Sequence, residues 1–265
     1  MDVEQLVAFR RELHRNPEPA FVEIGTAARI EQAIEGLPIR VLTGKAAQDL
    51  SAVVNFPSPE TLDEWAARAT ASGAPEERVR YFRENGTALV VDLVGTRPGP
   101  RWGLRVDIDA LPMRESSDAT HFPVANGFAA KNGAMHACGH DAHATIGVGL
   151  LHRLADRDFA GSLRILFQPA EEGVRGAQTM IDAGVADEID HMLALHMAGD
   201  MAVGGGWVWA RGWDVFLTRV NPRTHKVAQV YGPVSGSGSV AVGPGGVWIS
   251  AHDVKTVWRL PLPHR

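Results

Sequence analysis

Two periods organise the apolar residues of this chain. Near the N-terminus Leu6, Val7, Phe9 and Leu13 fall at helical spacing over residues 3–15. Asn16-Pro17-Glu18-Pro19 ends that pattern, because a residue that precedes proline is pushed out of the right-handed helical region. A second helix is expected over 24–36, then a short strand over 39–42. From Gly44 to Gly86 the pattern is weakest: Pro57, Pro59 and Pro75 punctuate two charged, helix-prone pieces at 61–70 and 75–84. The 44–100 region reads as containing an insertion on a core.

Short apolar runs then alternate with helical ones. ALVVDLV (88–94), WGLRV (102–106), LRILF (163–167) and residues 192–195 have the length and β-branched content of strands, and helical stretches are expected at 145–155 and 176–183. Strands separated by helices predict an α/β fold, a sheet with helices on both faces and parallel pairs within it. In such sheets ligands bind beyond the carboxyl ends of the strands. Asp107, Asp109, Glu171, Glu172 and His196 all follow predicted strands, and Cys138 and His140 open a predicted helix. Taken singly, a strand-end aspartate caps a helix and a lone histidine lines a rim. Taken together, these residues converge on one edge of the sheet.

Composition narrows the chemistry. With 265 residues, 45% of them hydrophobic and 22% charged, the chain is long enough for one large α/β domain or two ordinary ones. A net charge of -5 and the absence of a basic, aromatic-interleaved stripe exclude a nucleic-acid footprint. No apolar run is long enough for a membrane span and the charged, amphipathic first 15 residues do not read as a secretory leader, so no membrane partner and a cytoplasmic location are expected. The single cysteine, Cys138, excludes an internal disulfide framework and fits a reducing compartment. Gly-rich phosphate-binding motifs are missing from the core.

Cys138 lies in MHACGHDAH (135–143) with His136, His140, Asp141 and His143. A thiolate two residues from an imidazole can grip one divalent ion, or bridge to a second. The plainer alternative is a helix N-terminus with incidental histidines. Glu171 and Glu172 are adjacent, so in an extended segment one can ligate metal while the other faces substrate. Metal-assisted hydrolysis needs that division: a fixed Lewis acid, a water acidified by it, and a base. Cys138, His140, Glu172 and His196 supply the ligand types, and Asp109 can orient a ligand imidazole. A Cys138/His nucleophile pair is the rival, and it leaves both carboxylate pairs without a task.

The blocks RVDIDALPM (105–113), MHACGHDAH (135–143), LFQPAEEG (166–173) and LALH (193–196), in that order, resemble the signature blocks of the M20 metallopeptidase family. They match its amidohydrolase branch of hippurate, N-acyl-amino-acid and auxin-conjugate hydrolases, as does RRELHRNPEPAFVE near the N-terminus. GTRPGP and the block that runs into MHACGHDAH look most like the p-aminobenzoyl-glutamate hydrolases of that branch. The resemblance implies a phosphorylase/hydrolase-like catalytic domain with Cys138, His140, Glu172 and His196 as metal ligands. It implies Glu171 as the general base that later protonates the leaving amine; Asp109, read above as orienting a ligand imidazole, is the second catalytic candidate. It further implies two divalent ions, manganese or zinc, an N-acyl or N-aroyl amino acid substrate, and a homo- or hetero-oligomer.

That resemblance spans 1–204, the N-terminal part of such a domain, and the lid and dimerisation domain is expected to be absent. Residues 205–265 hold five of the seven tryptophans and carry a charge of +5 against -10 for the rest. Their Gly/Trp/Pro-rich composition is that of a GC-rich gene translated out of frame, and 234–246 is low in complexity. The expectation is a C-terminally truncated or frameshifted chain with a poorly ordered tail. Two further readings stay open: an inactive truncated relative that retains metal binding, and a non-enzymatic assembly partner.

Overall fold

The computed structural model describes residues 1–173, 175–196, 201–211, 216–224, 226–232, 240–243, 245–251 and 256–262. The chain forms two compact units, Met1–His196 and Met197–Arg265.

In the first unit, α1 (Val3–Arg15) starts from a capping box: Asp2 accepts the Gln5 N–H and the Gln5 side chain returns to the Asp2 N–H. After it come α2 (Ile24–Ala33), β1 (Arg40–Leu42), α3 (Pro59–Ala71), α4 (Glu76–Asn85), β2 (Leu89–Val94), β3 (Arg97–Asp107), α5 (Phe122–Ala125), α6 (His140–Arg153), β4 (Ala160–Gln168), α7 (Gly176–Asp182) and β5 (His191–Ala194). The five strands run in the order β1-β2-β4-β3-β5. β3 is parallel to both β4 and β5, whereas β2 is antiparallel to β1 and β4, so the sheet is mixed.

Alternation along the strands sends side chains to two cores. Leu89, Val91 and Leu93 of β2, with Leu163, Ile165 and Phe167 of β4, pack with residues of α1, α2, α3, α4 and α6. Val90 and Leu166 join a smaller cluster with Met180 of α7 and Val185. The expected α/β sheet with helices on both faces is present. Between β2 and β4 the registered pair Asp92 and Arg164 forms a two-pronged ion pair at 2.7 and 2.8 Å. The 44–100 region is more than a rider on this core. Leu62 and Ala69 of α3 and Val79 and Phe82 of α4 are buried in the main cluster, and β2 lies inside the sheet.

Two local features build the edge where β3 and β4 end. α6 begins at His140, five residues before the helix expected from the apolar pattern, because Gly139 supplies a left-handed turn at φ 76°. His140 and His143 therefore share its first turn. After β4, Ala170 is fully buried with φ 52°, and its carbonyl accepts the N–H groups of Arg175 and Gly176. Gly176 is needed there, since a Cβ would lie 1.6 Å from the Pro169 carbonyl oxygen.

The second unit is all β in its described residues. β6 (Met201–Gly204), β7 (Trp207–Ala210), β8 (Leu217–Val220) and β9 (Val227–Tyr231) form one antiparallel sheet. β10 (Val240–Gly243), β11 (Gly246–Ala251) and β12 (Thr256–Leu260) form another. Trp209, Leu217, Val240, Val247 and Ile249 make their shared core. This differs from the poorly ordered tail expected from composition, because strands of four to six residues bury alternate apolar side chains that the glycines between them obscure. Of the 234–246 stretch, residues 234–239 and 244 lie outside the described residues. Residues 201–204, grouped by sequence with the first domain, pair with β7. Among the described residues no helix is long and apolar enough to cross a membrane.

The left-handed backbone at Ala170 predicts a ranking of substitutions. A non-glycine residue in that region costs about 1–2 kcal/mol. Ala170→Gly should stay within about 1 kcal/mol of the native protein, as relief of strain offsets the flexibility gained by the unfolded chain. Ala170→Val should lose about 2 kcal/mol or more, from a β-branched residue at positive φ in a filled core. Urea midpoints read the difference, and equal midpoints for the two variants would contradict a fixed left-handed turn.

Candidate functional site

Asp107 ends β3 and Asp109 lies two residues beyond it, both fully buried. Asp109 is a junction. Its Oδ1 accepts the Glu171 N–H and its Oδ2 the Glu172 N–H, each at 3.0 Å, while its backbone carbonyl lies 2.8 Å from Nδ1 of His140. One residue thereby fixes the turn after β4 and the first residue of α6.

Because Nδ1 of His140 donates to that carbonyl, Nε2 of the neutral ring carries the lone pair. That Nε2 is buried and has no hydrogen-bond partner. Around it lie Oδ1 of Asp107 at 3.5 Å, Oε2 of Glu171 at 3.9 Å and Oε1 of Glu172 at 3.9 Å. Ligand atoms of Cys138, His140 and Glu172 fall within 4.8 Å of one another. Bonds of about 2.0–2.3 Å in tetrahedral array set ligands roughly 3.4 Å apart, so small movements would bring these donors onto one ion.

Electrostatics points the same way. Burial, a hydrogen bond to Glu172, and the charges of Glu172, Glu171 and Asp107 push the Cys138 thiol up to about 12. Burial alone would lower His140, but the hydrogen bond to Asp109 and the charges of Asp107 and Asp109 raise it on balance. Both directions report excess negative charge, and the donor set of thiol, imidazole and carboxylate suits a divalent cation. The residues fit such an ion.

A second group, Asp107, His140 and His143, satisfies the same spacing. Two of its members pair with each other, Nδ1 of His143 lying 2.5 Å from Oδ1 of Asp107, and Nη1 of Arg105 is 2.7 Å from Oδ2, while Nε2 of His143, like that of His140, is buried without a hydrogen-bond partner. Arg105 also reaches Gln168 at 2.7 Å and Glu171 at 3.7 Å. Burial tends to raise Asp107, but His143, His140 and Arg105 hold it below the usual carboxylate range. His136 is buried with both ring nitrogens unpartnered, and burial pushes it down to about 4.

His196 stands apart from the other residues nominated by sequence. Parallel pairing of β5 with β3 brings it to the same edge, and the Leu195 N–H bonds to the Arg105 carbonyl. Its side chain is exposed and joins neither group among the described residues. Glu171 and Glu172 are half-buried and aimed toward Nε2 of His140.

Sequence reasoning gave no specific task to Asp107, His143, His14 or Glu23. Nδ1 of His14 is 2.9 Å from Asp141 and its Nε2 is 3.0 Å from Glu115, which ties α1 to the start of α6. Burial would lower His14, but those two partners raise it. Glu23 is fully buried, accepts the Ala170 N–H at 2.8 Å and the Thr87 hydroxyl at 2.7 Å. Burial, and then the nearby Asp109 charge, push its carboxyl up. The only sequence signal for His14 and Glu23 was their place in RRELHRNPEPAFVE.

The chain is similar to proteins of known kind. It is 40% identical over 204 residues to the indole-3-acetyl-aspartic acid hydrolase of Enterobacter agglomerans, covering 76% of this chain and 47% of that relative. It is 38% identical over 203 residues to one of the subunits of the p-aminobenzoyl-glutamate hydrolase of Escherichia coli (strain K12), with 76% and 47% covered. Among solved structures, a Bacillus subtilis protein described as a dinuclear metal binding peptidase from the M20 family superposes with a TM-score of 0.54 at 30% identity, over 76% of this chain and 44% of that one. The chain spans about half the length of the curated relatives it matches. The family model for peptidase family M20/M25/M40 matches residues 103–249, more than half of the chain and including the end of β3, α6, the Glu171–Glu172 turn and much of the second unit. The resemblance carried by the four sequence blocks is thereby established, and the chain belongs to the peptidase family M20/M25/M40.

Proposed function

We propose that this chain carries the divalent-ion site of a hydrolase that cleaves the amide bond between an acyl or aroyl group and an amino acid. The observation that carries the reading is the buried, unpartnered Nε2 of His140, faced by Cys138, Glu172 and Asp107 in a region of excess negative charge. Cys138, His140 and Glu172 are the ligands. His196, at the same sheet edge, is a further ligand once its ring turns inward. A divalent ion bound there, zinc or manganese, supplies Lewis acidity to the scissile carbonyl and to a water molecule. The dinuclear Bacillus subtilis relative supports a pair of ions, for which Cys138, His140, Glu172 and His196 would supply donors.

The remaining work falls to the protein's own side chains. Glu171, half-buried beside the ligands, takes the proton from the attacking water and returns it to the departing amine. Arg105, 3.7 Å from Glu171 and paired to Asp107, orients that carboxylate. Asp109 keeps Glu171 and Glu172 divided in task by holding both of their backbone N–H groups. The names of the two relatives support aminobenzoyl-glutamate and indole-acetyl-aspartate as the substrate class. The Escherichia coli relative is named as one subunit of its hydrolase, which supports a hetero-oligomeric partner.

Loading with zinc or manganese should give metal-dependent release of the amino acid from p-aminobenzoyl-glutamate, hippurate or indole-3-acetyl-aspartate. Glu171→Gln should lower that rate about 10²–10⁴-fold while metal stoichiometry is kept. Metal bound without turnover would favour the reading of an inactive, metal-binding relative. Separately, Cys138→Ala and His140→Ala should each weaken zinc binding in a chelator competition. Unchanged zinc affinity in both would sink the ligand assignment.

A further inference from the structure

We infer that Glu23 is a positioning residue for the Glu171–Glu172 pair, holding from the start of α2 the turn on which both glutamates ride. Three successive backbone N–H groups, those of Ala170, Glu171 and Glu172, end on buried carboxyl oxygens: the first on Glu23 at 2.8 Å, the other two on Asp109 at 3.0 Å each. Ala170 is left-handed and fully buried, so neither water nor the β4 ladder satisfies its N–H. Without an acceptor at Glu23, that group would be a buried, unsatisfied donor. The second oxygen of Glu23 takes the Thr87 hydroxyl at 2.7 Å, which fixes the carboxyl against the residue that leads into β2. Glu23 is therefore locked at both oxygens and acts through backbone, without touching substrate or ion.

The acceptor is what matters at this position. Burial and the neighbouring Asp109 both favour an uncharged Glu23 carboxyl, whose carbonyl oxygen still serves Ala170. Glutamine offers the same oxygen at the same reach, while its amide N–H can donate to Thr87. Methionine keeps the length and removes the acceptor.

The functional weight of this inference rests on the metal-site reading above, so its test has two arms on the full chain. Hydrogen exchange of the segment spanning residues 168–173 reads the turn directly. Zinc affinity by chelator competition reads its consequence for the ligands. Glu23→Met should speed exchange of that segment about tenfold or more and weaken zinc binding about 10–100-fold, the usual effect of losing an outer partner of a metal site. Glu23→Gln should restore both toward the native values. A folded Glu23→Met protein with native exchange and native zinc affinity would overturn the inference. So would Glu23→Gln as impaired as Glu23→Met, since charge would then be the relevant feature. Should Glu23→Met fail to fold, Glu23→Asp replaces it: its carboxylate falls one methylene short, exchange should again quicken, and unchanged exchange overturns the inference. Native protein that binds no zinc would defeat the metal-site reading while the exchange arm still decides the role of Glu23.

Discussion

The site depends on one buried carboxylate. Asp109 leaves β3, receives two consecutive N–H groups from the turn after β4, and offers its backbone carbonyl to the first residue of α6. These three pieces are far apart in sequence, and no other described residue touches all of them in this way. A carboxylate is suited to the task because its two oxygens can accept from two directions at once. Parallel pairing of β3 with β4 then brings the ends of both strands to one edge, where their loops can meet.

The arrangement has an electrostatic cost that explains its function. Asp107, Asp109, Glu171 and Glu172 crowd a mostly buried volume with Cys138 and His140, and Arg105 pairs with Asp107 and approaches Glu171 as a permanent cation. Without a further positive charge the thiol holds its proton and His140 tends to gain one. Both shifts report the same negative field, one that favours a bound cation. Orientation of His140 by Asp109 leaves Nε2 facing that crowd, so the lone pair and the negative field coincide.

Much of this was legible in the sequence, for physical reasons. Strands such as 88–94 and 163–167 are apolar because both faces of the sheet are covered, and residues after them must be polar because they meet the edge. The Cys138/His140 segment was read as opening a helix, but the apolar pattern reached back only to 145, since His140, Asp141 and His143 are polar residues facing inward and carry no amphipathic signal. The same limit hid α3 and α4 from the core: four buried apolar residues suffice to dock them amid many charges. Glu23 was illegible as a contributor because its partner is a backbone N–H, which has no residue type to read. His196 was read from its strand-end position, and position fixes the edge a residue reaches, not the rotamer of an exposed ring.

X-ray absorption at the zinc edge of the zinc-loaded chain tests the central claim most directly. If Cys138, His140 and Glu172 share one ion, the first shell must contain a sulfur at about 2.3 Å together with nitrogen or oxygen at about 2.0–2.2 Å, and the sulfur must vanish in Cys138→Ala. A first shell of oxygen and nitrogen alone in the native chain would contradict a site built on Cys138 and His140.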